Sequence, residues 1–103
     1  MRASPPIVPL EARQDIYLVL DDFGLLGRAW YEVTSEEDTS HERLIRRLMD
    51  GRYNHPLRIV AFNAAEGWCR DVTVDIAHEL RRRFAEHDLV PASVQEFLEV
   101  ARR

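Results

Sequence analysis

Within residues 63–71 the chain gathers Asn63, Glu66, Trp68, Cys69, Arg70 and Asp71, an unusual variety of chemical groups for one short stretch. Three kinds of chemistry could come of them. A thiol beside an arginine, just ahead of a helix, is where a thiolate is stabilised, so Cys69 is a candidate nucleophile. A nucleophile also needs a general base. None of His41, His55, His78 and His87 has a spacing that ties it to Cys69, which therefore reads as an ordinary small turn residue.

The second chemistry is cation binding. Asp21 and Asp22 close one apolar run, and Asn63 and Glu66 follow another. If the two runs are parallel strands, all four residues emerge at one sheet edge, where α/β proteins bind their ligands. Asp21, Asp22 and Glu66, helped by the Asn63 amide, would then hold a hard cation such as magnesium. The plainer alternative has an aspartate capping the next element and Asn63 closing a turn. The third chemistry is recognition. Trp68 either plugs the gap between strand and helix or anchors a protein partner, with Asn63, Glu66 and Arg70 around it.

Other motifs fail on spacing. His78-Glu79 lacks the second histidine of a zinc-protease helix, because residue 82 is Arg82. The segment Asp21 to Gly27, DDFGLLG, lacks the glycine spacing and the Lys-Ser/Thr ending of a phosphate loop. Arg81, Arg82 and Arg83 point to three sides of a helix and make no phosphate stripe. No cofactor is expected.

The elements that must position these residues are legible from periodicity. Ile16–Leu20 and Leu57–Phe62 are nearly continuous apolar runs, the pattern of strands covered on both faces in a parallel sheet. The 36 residues between them suit a helical crossover. In that interval Thr39 and Glu42 have capping-box spacing, Leu44, Ile45, Leu48 and Met49 form an apolar stripe, and Gly51 supplies a C-terminal stop. For residues 22–33 a helix is preferred, with Phe23, Leu26, Trp30 and Val33 on one face; Gly24 and Gly27 oppose it, and the alternative is a turn followed by a strand from Arg28 to Val33. A helix over 71–86 buries Ile76, Ala77, Leu80 and Phe84, with Asp71 or Thr73 as its cap and arginines at its negative end. A last helix follows Pro91, with Ser93 and Glu96 at capping-box spacing. Residues 1–14, with Pro5, Pro6 and Pro9, read as a loose solvated arm.

Composition sets the outer limits. At 103 residues, 46% hydrophobic and 31% charged, the chain is one globular domain. A single cysteine excludes an internal disulfide and fits a reducing, cytoplasmic setting. The N-terminus has no secretory pattern, and the apolar runs are too short to cross a bilayer. All 14 basic residues are arginine, yet the net charge is −4, which argues against binding nucleic acid through its phosphates.

Two segments, VLDDFG at Val19 to Gly24 and VAFNAAEGWCRDVTVDIA at Val60 to Ala77, resemble a group of small uncharacterised proteins from alphaproteobacteria. The resemblance, strongest in an AFN-x-x-EGW-x-RDV string, covers most of residues 16–86. It departs at Cys69, where serine is usual, and at Val74, where glutamate is usual. It implies no activity.

The expectation is a small single α/β domain of two to three central strands flanked by three or four helices. Its expected role is that of a cytoplasmic, non-enzymatic accessory or regulatory protein acting by protein contact through residues 63–71. The alternative is a small hydrolase-like enzyme using a divalent cation at Asp21, Asp22 and Glu66.

Overall fold

The computed structural model describes residues 15–33, 40–85 and 89–102. Four strands, β1 (Ile16–Asp22), β2 (Arg28–Val33), β3 (Pro56–Asn63) and β4 (Trp68–Asp71), form one sheet in the order β2-β1-β3-β4. Three helices, α1 (Ser40–Met49), α2 (Thr73–Phe84) and α3 (Ala92–Arg102), complete a small α/β domain. Every neighbouring pair of strands is antiparallel. The parallel arrangement expected for β1 and β3 is therefore overturned. A further strand, β2, reverses the chain before α1, so β3 runs back along β1 with Ile16 opposite Phe62 and Asp21 opposite Pro56.

Residues 22–33 form a hairpin, not a helix. Gly24 and Gly27 have φ of 67° and 97°, in the left-handed region that continues no α-helix. The Asp22 carboxylate accepts the Gly24 N–H at 2.9 Å, and a single 3₁₀ turn, Gly24–Leu26, leads into β2.

Alternation along the strands separates the two sheet faces. Tyr17, Val19, Val33, Ile59 and Ala61 are buried on one face, in a single core with Leu44, Ile45 and Leu48 of α1, Ile76, Ala77, Leu80 and Phe84 of α2, and Val94, Phe97 and Ala101 of α3. The stripes read from the sequence for α1 and α2 are thus the buried ones, with Met49 only partly buried, whereas the stripe read over residues 22–33 is not helical. On the other face Leu18, Leu20, Val60 and Phe62 are only half-buried. Apolar runs had suggested cover on both sides, but the described helices supply it on one.

The helix ends differ in detail from the capping pattern expected. Thr39 lies outside the described residues, as do the arm 1–14 and His87. Gly51 closes α1 as anticipated: its N–H bonds to the Leu48 carbonyl at 3.1 Å, and the Arg52 N–H to that of Arg47 at 3.0 Å. At the start of α2 the Asp71 carboxylate accepts the Thr73 N–H at 2.8 Å, while the wholly buried Thr73 hydroxyl accepts the Ile59 N–H at 2.9 Å. The second bond ties the start of α2 to β3. In α3, Ser93 falls inside the helix, and Glu96 turns to His55 Nδ1 at 2.8 Å.

Candidate functional site

The residues singled out from the sequence fall into two groups at opposite ends of the sheet. Asp21 and Asp22 end β1, whereas Asn63 ends β3 beside the start of β1. Five residues of strand separate the levels of Ile16 and Asp21, roughly 17 Å at the usual rise. Glu66 lies beyond Asn63 on the far side. Asp21, Asp22 and Glu66 therefore do not meet, and the expected cation site is not assembled. The error follows from the parallel pairing: antiparallel strands send their carboxyl ends in opposite directions.

Each aspartate has a local task instead. Asp21 is buried, 2% exposed, and its two oxygens accept the main-chain N–H groups of Asn54 at 2.9 Å and His55 at 2.6 Å. It fastens the turn before β3 to the end of β1. Asp22 shapes the β1–β2 turn and stands 3.8 Å from Arg28 Nε.

The other group does come together. Residues 64–67 are a four-residue turn joining β3 to β4, so Trp68 to Asp71 form a strand where a loop was expected. Gly67, at φ 76°, donates its N–H to the Asn63 carbonyl at 2.8 Å, and the Asn63 side chain accepts the Glu66 N–H at 2.9 Å. Asn63 Nδ2 reaches back to Asp15 at 3.1 Å. The Trp68 indole is half-buried against the core, donates to Glu66 Oε1 at 3.1 Å and lies 4.9 Å beneath the Arg70 guanidinium. The hairpin's polar groups largely satisfy one another. Cys69 is exposed on β4, four residues ahead of the start of α2.

A cluster that spacing did not reveal lies between α1 and α2. His41 Nε2 is 2.8 Å from Glu79 Oε1, and Glu42 is close by. These ligand atoms could surround a metal ion, but Arg83 reaches both carboxylates, at 2.7 Å to Glu42 and 2.8 Å to Glu79. A guanidinium already provides the positive charge a cation would bring. The Arg83 contact holds the Glu42 carboxyl below its ordinary range. This is an interhelical clasp. Arg81 makes a second one, donating to the Leu98 carbonyl of α3 at 3.0 Å.

The remaining candidate is a surface: the outer edge of β2. Among the described residues no strand pairs with it. Trp30 is 51% and Tyr31 42% exposed, and Arg28 and Glu32 lie on the same face as Trp30. The signal was present in the sequence as RAWYEV, but assigning Phe23 to Val33 to a helix concealed it. No family model matches the chain, and neither curated proteins nor solved structures give a match.

Proposed function

We propose that the protein is a small, non-enzymatic accessory or regulatory protein of the cytoplasm that acts by protein contact, and that β2 carries the first of these contacts, with a second copy of the chain. The observation behind this reading is the self-complementarity of the β2 edge. A two-fold axis through Trp30 pairs two β2 strands antiparallel, with Trp30 opposite its own counterpart. In that register Arg28 of one copy faces Glu32 of the other, and the pair occurs twice. Opposite charges across a strand pair stabilise it, and an isologous contact of this kind closes on itself. The two sheets become one of eight strands, and two free edges that invite uncontrolled pairing are removed. The hairpins bearing Trp68, Glu66 and Arg70 then stand at the outer ends, where the exposed Arg70 suits an acidic segment of a further protein.

Charge exchange tests the contact. Sedimentation of the full chain across the micromolar range is expected to show a dimer. E32R and R28E should each be monomeric, because each places like charges opposite one another twice. Mixing the two variants should restore a dimer, since they complement each other. A monomer at every concentration, or dimers indifferent to both substitutions, would sink the proposal. Strand addition by a different protein would show itself as a monomer whose partner is lost on the same substitutions.

A further inference from the structure

The C-terminal end of α1, the turn at 51–54 and the helix-side face of the β1–β2 hairpin enclose a cavity of about 470 Å³. Its walls include Phe23, Tyr31, Arg47, Arg52, Tyr53 and Asp21. The volume lies within the range of small-molecule sites, about 300–1,000 Å³.

Three features of this wall are unusual together. First, the Tyr53 side chain is buried, 6% exposed, and its hydroxyl lies beside the Arg47 guanidinium without a hydrogen bond of full geometry to any described residue. A buried hydroxyl without a partner is costly, and native structures seldom leave one. Second, neither Arg47 nor Arg52 forms an ion pair with a carboxylate among the described residues. Both also border an adjoining cavity with Arg43, Arg46 and Asp50, where Glu42 offsets part of the Arg46 charge. In a chain of net charge −4 this is a concentrated positive surface. Third, the rings of Phe23, Tyr31 and Tyr53 form a row, with centroids 6.2 Å and 6.5 Å apart.

The competing charges decide the sign of the ligand. Asp21 lines the cavity, but its oxygens are engaged by the Asn54 and His55 main-chain N–H groups. The end of α1 contributes roughly half a negative charge, and its Arg47 and Leu48 carbonyls are already bonded. Full guanidinium charges outweigh that partial charge. Arginine's planar fork matches phosphate oxygens, and an aromatic row suits a flat ring.

We propose that this cavity binds a phosphate ester of an aromatic group, of mononucleotide size, with the phosphate on Arg47, Arg52 and the Tyr53 hydroxyl and the ring against Phe23 and Tyr31. The site shares Tyr31 with β2 but lies on the helix-side face, whereas Arg28 and Glu32 of the strand pairing lie on the opposite face, so either proposal can fail alone.

Calorimetric titration of the full chain with AMP tests it, with adenosine, inorganic phosphate and inositol monophosphate as comparison probes. AMP is expected to bind one per chain, at least about tenfold tighter than any of the three, since each lacks the ring or the phosphate. R52A, at an exposed position, should weaken AMP about tenfold with the fold intact by circular dichroism. Tyr53→Phe should weaken AMP and leave adenosine unchanged. Equal binding of AMP and adenosine, AMP binding indifferent to R52A, or no AMP binding at millimolar concentration would each overturn the site. Tighter binding of inositol monophosphate than of AMP would overturn the aromatic part and point to a headgroup-like ligand.

Discussion

Asp21 and His55 are joined by a 2.6 Å hydrogen bond from the His55 main-chain N–H to Asp21 Oδ1, made at the buried end of the central strand. The Asn54 N–H bonds the other oxygen, so one carboxylate orders the turn that returns the chain from α1 to β3. A residue that looked like a cation ligand is instead the fastening of a loop. Charge-assisted bonds to a buried carboxylate are among the stronger ones in a fold. Asp21→Ala should therefore cost about 2–4 kcal/mol, because two inward N–H groups lose their acceptor. Asp22→Ala, nearer the surface, should cost about 1 kcal/mol or less. Urea denaturation of both variants checks this, and equal losses would contradict the assignment.

Gly51 tests the end of α1. Its φ of 68° suits glycine, and an added Cβ would lie 3.2 Å from Pro91 Cβ. Gly24 has a similar φ of 67° but open space around it. Gly51→Ala should therefore destabilise by about 1–2 kcal/mol or more, and by more than Gly24→Ala. The comparison isolates crowding against Pro91 from backbone strain, and a larger loss for Gly24→Ala would refute it.

The Glu42–Arg83 contact gives a pH dependence of known sign. The hydrogen bond from Arg83 is the main cause of the lowered Glu42 pKa. A carboxyl lowered in the folded state contributes stability that is fully present above its unfolded pKa. That contribution is lost as pH falls through the folded value. Glu42→Gln should be less stable than the parent at neutral pH, and the difference should vanish below the carboxylate range. Paired denaturation curves at neutral and acid pH measure it; a difference that grows on acidification would reverse the assignment.

Cys69 should be dispensable for folding. It is exposed on a four-residue edge strand. Cys69→Ser is expected to change stability by no more than about 0.5 kcal/mol. Alkylation of the native protein should proceed readily and leave its melting temperature unchanged; a thiol protected in the folded state would show that the edge is covered.

Much of the helical layer was legible in the residues. Leu44, Ile45, Leu48 and Met49, then Ile76, Leu80 and Phe84, then Val94, Phe97, Leu98 and Ala101 recur at helical spacing, and all are buried in the core except Met49 and Leu98, which pack partly buried against it. The site was less legible. The hairpin linking Asn63, Glu66, Trp68 and Arg70 could be anticipated as a cluster, since its members are close in sequence. The cavity at Tyr53 could not, because it joins Phe23 and Tyr31 to Arg47 and Arg52 from separate elements.

By itself, therefore, the sequence determined the three helices α1, α2 and α3, the faces they bury and where β1 and β3 lie, but it wrongly favoured a fourth helix over residues 22–33. Those features rest on contacts between residues a few positions apart, which periodicity and turn chemistry record. Only the tertiary structure decided that the strands run antiparallel and that Asp21 and Glu66 are held apart. It also decided that one sheet face and the β2 edge remain uncovered by the described helices and strands. Strand direction depends on how many times the chain reverses between two runs, and that turned on whether residues 28–33 were a strand. Apolar side chains in a strand report the presence of a sheet, but not which neighbour pairs with it or from which end.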